Sequence, residues 1–268
     1  MLSTGACLMI RVVIISTVGA SLLINFARYM NVEVDDLLKR DLVALKQDLV
    51  RFIDERGRAA SAEVNSLERI WDKLSSEEFN KEDVYLVFLA SDTLEGHICA
   101  KAVTEFYRSK NFLTDTIIVE GLKYDALEFL EKGLLSLVNT LSEQVFHYKR
   151  EGRRVIINAT GGFKAEAAYA TLVGILNKCE VYYIHEKFRE LIELPPLPIA
   201  IDEDFWEKYH DILDYVKEER SLDDVKAKFG DKWKEIMLLT TIWEENGEKK
   251  IKLGPAGRAF YLASTYRI

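Results

Sequence analysis

The stretch RVVIISTVGASLLINFARYM, residues 11–30, decides the fold of this chain. It begins with an uninterrupted β-branched and apolar run, Arg11 to Thr17, which ends in two hydroxyl residues. A run without polar alternation predicts a strand that is buried on both faces, as in a parallel sheet. Val18 to Ser21 then predicts a turn, and an apolar helix follows. A strand, a tight turn and a helix in this order indicate an α/β protein.

The same unit recurs along the chain. Four further apolar runs predict buried strands, at Val84–Ala90, Thr116–Glu120, Arg153–Asn158 and Glu180–His185. Helical patterns separate these runs, and residues from about 34 to 79 predict a helical insertion that Gly57 divides. Parallel strands need crossover connections, and those connections are right-handed. The sequence therefore predicts a Rossmann-like open parallel sheet with helices on both faces.

The proline cluster LPPLP, residues 194–198, predicts a domain boundary, because proline continues neither a helix nor a central strand. We expect a first domain at residues 11–201 and a smaller, mostly helical domain at 202–268. The smaller domain has predicted helices near 204–218, 222–229 and 232–245, then a turn at Asn246-Gly247, a strand at 249–253 and a helix at 255–264. This order resembles a winged helix.

The composition narrows the function classes. With 44 acidic against 36 basic residues, the chain lacks the basic surface of a protein that coats nucleic acid, although it is compatible with a local basic pocket. Cys7, Cys99 and Cys179 have no paired spacing and the four histidines are scattered, which indicates a reducing compartment and no metal site. Arg11 interrupts the apolar N-terminal run before it reaches the ~20 residues of a membrane helix, so we expect a cytoplasmic protein.

Polar residues and glycines follow three of the predicted strands. The carboxyl ends of parallel strands meet at one edge of a sheet, so these residues should lie together and bind a ligand there. The candidate ligand-binding residues are Thr17, Gly19, Ser21, Ser91, Asp92, Thr93, Asn158, Thr160, Gly161, Gly162 and Phe163. Helix capping is the alternative role for the hydroxyls and for Asp92. The chain lacks both the G-x-G-x-x-G and the P-loop signature, so we expect no cofactor.

The segment TGGFK, Thr160–Lys164, is the strongest local signal. Its two glycines let the backbone approach a ligand, and the free amides at the start of the following helix favour an anion. Lys164 opposes the helix dipole in the first turn, which indicates an anionic ligand nearby. A solvated lysine after an ordinary tight turn is the alternative. His185 ends the fifth predicted strand, and a structural role for it is favoured over contact with a ligand.

Several of these motifs resemble one family. STVGASLL, residues 16–23, resembles the S/T-x-V-G-x-S-L-L start of CARF domains, the CRISPR-associated Rossmann-like domains. NATGGFK, residues 158–164, resembles their N-x-T-G-G-F-K ligand motif. SDT at 91–93, and YYIHE at 182–186 running on to the prolines, are similar to the APE-type CRISPR-associated family. The resemblance spans about residues 11–201.

The resemblance implies a ligand, cyclic tetra-adenylate, and a homodimer in which each subunit holds half of the two-fold ring. A CARF protein of this size with a small C-terminal appendage is similar to the ring nucleases. In these a ribose 2′-OH attacks the neighbouring phosphorus without metal, which gives linear di-adenylate with a 2′,3′-cyclic phosphate. For that reaction the resemblance implies Lys164 as the catalytic cation. It implies Ser16 or Thr17 as the group that orients the 2′-OH.

Three other functions are known for proteins with such a domain, and the sequence bears on each of them. A CARF domain that only senses the ring carries the same motifs, so the sequence does not separate a sensor from a nuclease. A HEPN ribonuclease is disfavoured, because no arginine stands five to seven positions before any histidine. DNA binding through a winged helix is disfavoured by 14 acidic against 12 basic residues over 203–268.

Overall fold

The protein is described by a computed structural model over residues 10–184 and 190–266. The strands of its main sheet are β1 (Val12–Val18), β2 (Val84–Ser91), β3 (Leu113–Val119), β4 (Arg154–Asn158), β5 (Glu180–Ile184) and β6 (Leu191–Leu194). Their order across the sheet is β3-β2-β1-β4-β5-β6, and the first five strands of the chain run parallel. The predicted Rossmann-like open sheet is confirmed. Cys7 and His185 lie outside the described residues.

Helices connect the strands and cover both faces of the sheet. They are α1 (Ser21–Met30), α2 (Val34–Leu38), α3 (Leu42–Arg56), α4 (Ala62–Ser76), α5 (Leu94–Ser109), α6 (Ala126–Glu128), α7 (Leu134–Arg150) and α8 (Lys164–Leu176). The predicted helical insertion corresponds to α2, α3 and α4. Gly57 ends α3 with a φ of 51°, a left-handed backbone that suits glycine.

Strand β1 lies at the centre, and all seven of its residues are buried. Successive side chains of a strand point to opposite faces. Val12 and Ile14 therefore join the apolar core under α1, α3, α4 and α5, whereas Val13 and Ile15 join the core under α7 and α8. The unbroken apolar run of the sequence is thus explained by burial on both sides.

The strand register brings the polar strand ends to one edge. Ser16 of β1 is paired with Asn158 of β4, and Val18 of β1 is paired with Ala90 of β2. Because these three strands are parallel, the residues that follow them leave the sheet on the same side. The prediction that the three strand ends share one edge is confirmed.

The C-terminal segment, as far as residue 266, contains four α-helices, a short 3-10 helix and a small sheet. These elements are α9 (Glu203–Tyr215), β7 (Arg220–Ser221), α10 (Leu222–Phe229), α11 (Lys232–Glu235), β8 (Thr240–Glu245), β9 (Glu248–Leu253) and α12 (Pro255–Thr265). The predicted helix at 232–245 is wrong, because it ends at Glu235 and its second half is strand β8. The residues TTIW, 240–243, favour a strand, and the predicted turn at Asn246-Gly247, with positive φ at both residues, closes a hairpin.

Helix α12 packs against α8, one of the helices that cover the main sheet. Ala259 and Leu262 of α12 share one apolar core with Ala170 and Val173 of α8. The C-terminal segment is therefore in direct contact with the helix that begins at Lys164. The domain boundary near residue 201 and the likeness to a winged helix stay predictions. Strand β6, which precedes the prolines and is antiparallel to β5, was not predicted.

Candidate functional site

Two glycine-containing turns touch each other at the polar edge of the sheet. Thr17 at the end of β1 donates a hydrogen bond from Oγ1 to the Gly161 carbonyl, at 2.7 Å. A Cβ atom on Gly19 would lie 2.8 Å from the Gly162 nitrogen, closer than van der Waals contact allows. The turn after β1 and the turn after β4 are therefore packed backbone to backbone, which only glycine at position 19 permits.

The first turn is held by a carboxylate that the sequence did not single out. Glu63, in the first turn of α4, is only 1% exposed. Its Oε1 accepts a hydrogen bond from the Gly19 amide at 2.9 Å, and its Oε2 accepts one from the Ser21 hydroxyl at 2.6 Å. The Ser21 oxygen in turn accepts a hydrogen bond from the Ala62 amide. The Gly19 amide and the Ser21 hydroxyl, two of the candidate ligand-binding groups, are thus already bound to an internal anion.

A second buried acid lies under the other turn. Glu166 in the first turn of α8 is 1% exposed, and one of its oxygens, Oε1, has no hydrogen-bond partner among the described residues. Burial raises the pKa of the Glu166 carboxyl to about 7, the Phe163 amide lowers it in part by donating a hydrogen bond, and nearby Glu63 raises it. Gly162 has a φ of +86°, and a Cβ there would lie 2.1 Å from Glu166 Oε2.

Glu166 gives the protein a pH-dependent stability. Its pKa of about 7 exceeds the 4.5 of an unperturbed glutamate, so the folded chain holds this proton more tightly than the unfolded chain. The contribution is most favourable below about pH 4.5 and falls by about 3 kcal/mol as the pH rises through 7. Glu166→Gln should flatten this part of the profile in urea unfolding between pH 5 and 8. Glu131→Gln, a change at an exposed glutamate, should not flatten it, and an unchanged fall in the Glu166 variant would contradict the assignment.

Lys164 is the exposed cation of the site. It is the first residue of α8, and no carboxylate of the described residues lies within 4.0 Å of its ammonium group. The first amides of a helix also have no partner within the helix, so Lys164 and these amides give the exposed start of α8 a positive character, although the Phe163 amide is already bound to Glu166. Phe163 beside it packs edge-on against Tyr124 and Phe129, which fixes the side wall of the turn.

The remaining residues of the β1 and β4 ends are enclosed. Ser16 is 1% exposed and accepts a hydrogen bond from Asn158 Nδ2 at 3.2 Å, while Asn158 Oδ1 has no partner among the described residues. Thr160 accepts a hydrogen bond from the Ile184 amide, so it connects the turn to β5. These contacts hold the two strand ends together. They leave Gly162 and Lys164 as the exposed residues of this turn.

At the third strand end, all three candidate side chains have contacts within the protein. Thr93 caps α5 by accepting a hydrogen bond from the Gly96 amide at 3.0 Å, and the Ser91 hydroxyl lies 3.1 Å from the Thr93 hydroxyl. Asp92 lies 3.5 Å from the Lys123 ammonium and 3.6 Å from His97 Nε2. Capping, which the sequence left as an alternative, thus accounts for the contacts of Thr93.

Within residues 10–184 and 190–266, no group of three or more His, Cys, Asp or Glu side chains is arranged to hold a metal ion. In the same part of the chain, no helix combines the length and apolar character needed to span a membrane.

Comparisons with solved structures find distant likenesses. Protein VC1899 from Vibrio cholerae matches 95% of this chain with a TM-score of 0.39 and 9% identity. Can2 from Sulfobacillus thermosulfidooxidans, solved in complex with cyclic tetra-adenylate, matches 96% of it with a TM-score of 0.33 and 10% identity. The chain spans only 65% and 64% of those two proteins, and likenesses this weak carry no argument about function.

The family is shown by the sequence itself. A model of one family, described as CRISPR-associated protein (Cas_APE2256), matches residues 58–197, which are 140 of the 268 residues. The match includes both glycines of the second turn, Lys164 and the two buried acids. The predicted resemblance to the APE-type family is confirmed, and the chain belongs to the Cas_APE2256 family of CRISPR-associated proteins.

Proposed function

We propose that this protein binds cyclic tetra-adenylate at the two adjoining turns and cleaves it as a ring nuclease. The observation that carries the proposal is the exposed Lys164 beside Gly162, which has no carboxylate partner among the described residues, on a chain of net charge −8 that belongs to a CRISPR-associated family. A positive edge of this kind suits a phosphodiester, because helix-start amides and a lysine both attract phosphate oxygens.

The internal acids direct the phosphate to one of the two turns. Glu63 fills the start of α1, so a phosphate there would have to displace a carboxylate from Gly19 and Ser21. The start of α8 carries Lys164 instead, and the Glu166 carboxyl below it favours its neutral form at pH values under about 7. The proposed scissile phosphate therefore lies at the α8 end, and Gly19 and Ser21 shape the pocket.

The reaction needs only the groups of the ring and a positioned cation. The ribose O2′ forms a bond to the adjacent phosphorus, the P–O5′ bond breaks, O2′ releases its proton to solvent and O5′ takes one up. Two such cleavages convert the ring into two linear di-adenylates with 2′,3′-cyclic phosphate ends. Lys164 stabilises the extra negative charge of the phosphorane, and the turn holds O2′, phosphorus and O5′ in line. Ser16 has the smaller role, because its buried hydroxyl acts by fixing Asn158.

The proposed assembly is a homodimer. A two-fold ring is matched by two identical half-sites related by a two-fold axis. Beside Phe163, the side chains of Tyr124, Leu127 and Leu130 are 63%, 65% and 60% exposed, which is an apolar surface next to the site. Light scattering should return twice the 30.8 kDa of one chain, and a monomer with and without the ring would contradict the proposal.

Cleavage should be independent of metal. Radiolabelled cyclic tetra-adenylate incubated with excess protein in EDTA should be converted to di-adenylate with a cyclic phosphate end, at the rate seen without chelator. The physical reason is that the nucleophile is a hydroxyl of the ring and the proposed charge stabilisation comes from Lys164. Loss of cleavage in EDTA, restored by magnesium or manganese, would contradict the proposed mechanism.

A non-catalytic sensor is the second candidate. One contact favours it: α8, which begins at Lys164, shares its apolar core with α12 of the C-terminal segment. Ligand bound at Lys164 would thereby act through α8 on α12, which a partner could contact. A ring that stays intact at excess protein but is bound tightly would favour this candidate, and a promoter DNA shift on a gel would favour a regulator over an effector partner.

A further inference from the structure

A basic cleft lies beside the proposed ring site, between α1 and α4. Its volume is about 760 Å³. One wall is a stripe of α1 made of Ser21, Asn25 and Arg28, and the opposite wall is a stripe of α4 made of Asn65 and Arg69. Residues spaced by three, four or seven positions share one face of a helix, so both stripes point into the cleft together.

The charge of this cleft is opposite to that of the whole protein. Its lining includes three arginines, with Arg58 at one end, and no aspartate or glutamate, whereas the chain has a net charge of −8. Arg58 is paired with Asp72. Among the described residues no carboxylate lies within 4.0 Å of the guanidinium of Arg28 or of Arg69. Arg28 and Arg69 therefore have no counter-ion among the described residues, although Arg69 Nε donates a hydrogen bond to Asn65 Oδ1 at 3.1 Å.

The walls of the cleft are held in place before any ligand binds. Ser21 donates a hydrogen bond to Glu63 and accepts one from the Ala62 amide, which fixes the start of α1 against the start of α4. Asn25 donates a hydrogen bond to the Ala60 carbonyl at 3.0 Å, one turn further along. A preformed cleft loses less entropy on binding than one that must be ordered.

We propose that this cleft binds a single-stranded ribonucleotide strand, with Arg28 and Arg69 on its phosphates. Arg28 lies seven residues along α1 from Ser21, about 10 Å, so the cleft is elongated and suits several linked phosphates more than one. Guanidinium planes also stack on unpaired bases, and side-chain amides bind base edges, as in proteins that recognise single strands. Asn25 Oδ1 and Asn65 Nδ2 supply such groups, because the hydrogen bonds to Ala60 and Arg69 use the other atom of each amide. The inference goes beyond ring cleavage and does not depend on it.

The test is binding of a linear, fluorescein-labelled hexa-adenylate, followed by anisotropy. Arg28→Ala/Arg69→Ala should weaken binding at least about ten-fold and make the slope of log K against log salt shallower by about 1.4. Arg51→Ala/Arg108→Ala removes the same charge from outside the cleft and should change binding less than two-fold. Arg28→Glu, a single exposed position, should weaken binding more than Arg28→Ala does.

Three results would overturn the proposal. One is binding by the Arg28/Arg69 double variant, with a parental melting temperature, within two-fold of the parent. Another is an equal loss in the Arg51/Arg108 control. The third is competition by AMP as effective as that of the strand at equal phosphate concentration, which would reduce the cleft to a site for isolated phosphate groups. The linear probe is not a substrate of the proposed ring reaction, so these results are independent of whether the ring is cut.

Discussion

Lys164→Ala should slow ring cleavage by roughly 30- to 1,000-fold at saturating ligand, which corresponds to about 2–4 kcal/mol of transition-state stabilisation. Lys164 is exposed at the start of α8 and has no carboxylate partner within 4.0 Å among the described residues, so its charge is available to the ligand. The phosphorane carries more negative charge than the diester, so the loss should fall more on the rate than on binding. Single-turnover kinetics with radiolabelled ring separates the two.

The control for this variant is the removal of another exposed lysine, outside the proposed site. Lys101→Ala removes an exposed lysine from α5 and should leave the single-turnover rate within two-fold. Lys164→Arg keeps the charge and should recover part of the rate. Cleavage by Lys164→Ala at the parental rate, with an unchanged melting temperature, would refute the assigned role.

Gly162→Ala should lower the free energy of unfolding by more than the same change at Gly152, another glycine with a positive φ. The φ of +86° at Gly162 already costs an alanine about 1–2 kcal/mol, and the new Cβ would lie 2.1 Å from Glu166 Oε2. Glu166 is buried, so relieving that clash should add about 1–3 kcal/mol. Ring binding should fall as well, because the turn that carries Lys164 must move.

Gly152→Ala separates the two causes. Gly152 has a φ of +73°, but a Cβ there would meet no atom within 4 Å. Its loss in urea unfolding should therefore reflect backbone strain alone, and its ring binding should be unchanged. Equal losses of stability in the two variants would show that the clash between an added Cβ at position 162 and Glu166 contributes nothing.

The sheet could be predicted from the sequence because each strand is marked by residues that are contiguous in the chain. The apolar runs of β1, β2 and β4 are buried on both faces, and the polar residues at their ends follow directly in the chain. The helix predicted over 232–245 failed because charged residues at its start resemble a helix face, whereas pairing with β9 decides the state of 240–245. Strand pairing is a non-local contact that a window of sequence does not contain.

The two buried acids were missed for a related reason. Glu63 is 44 residues from Gly19 and Glu166 lies in an ordinary first helical turn, where an acid normally complements the helix dipole. Their sequence signal was an acid in the first turn of α4 and of α8, and only Glu166 closely follows a glycine turn. Only the fold shows that both carboxyl groups are enclosed against Gly161 and Gly162.

The hydrogen bond between Thr17 and Gly161 joins residues that are 144 positions apart. A site built on so distant a contact is complete only after β4 has taken its place beside β1, and contacts of high sequence separation form slowly because a long loop must first close. During synthesis, the pocket is only half formed until residues 154–164 have emerged from the ribosome. The proposed ligand would therefore select fully folded molecules and, by mass action, protect them from unfolding, so that signal and stability rise together.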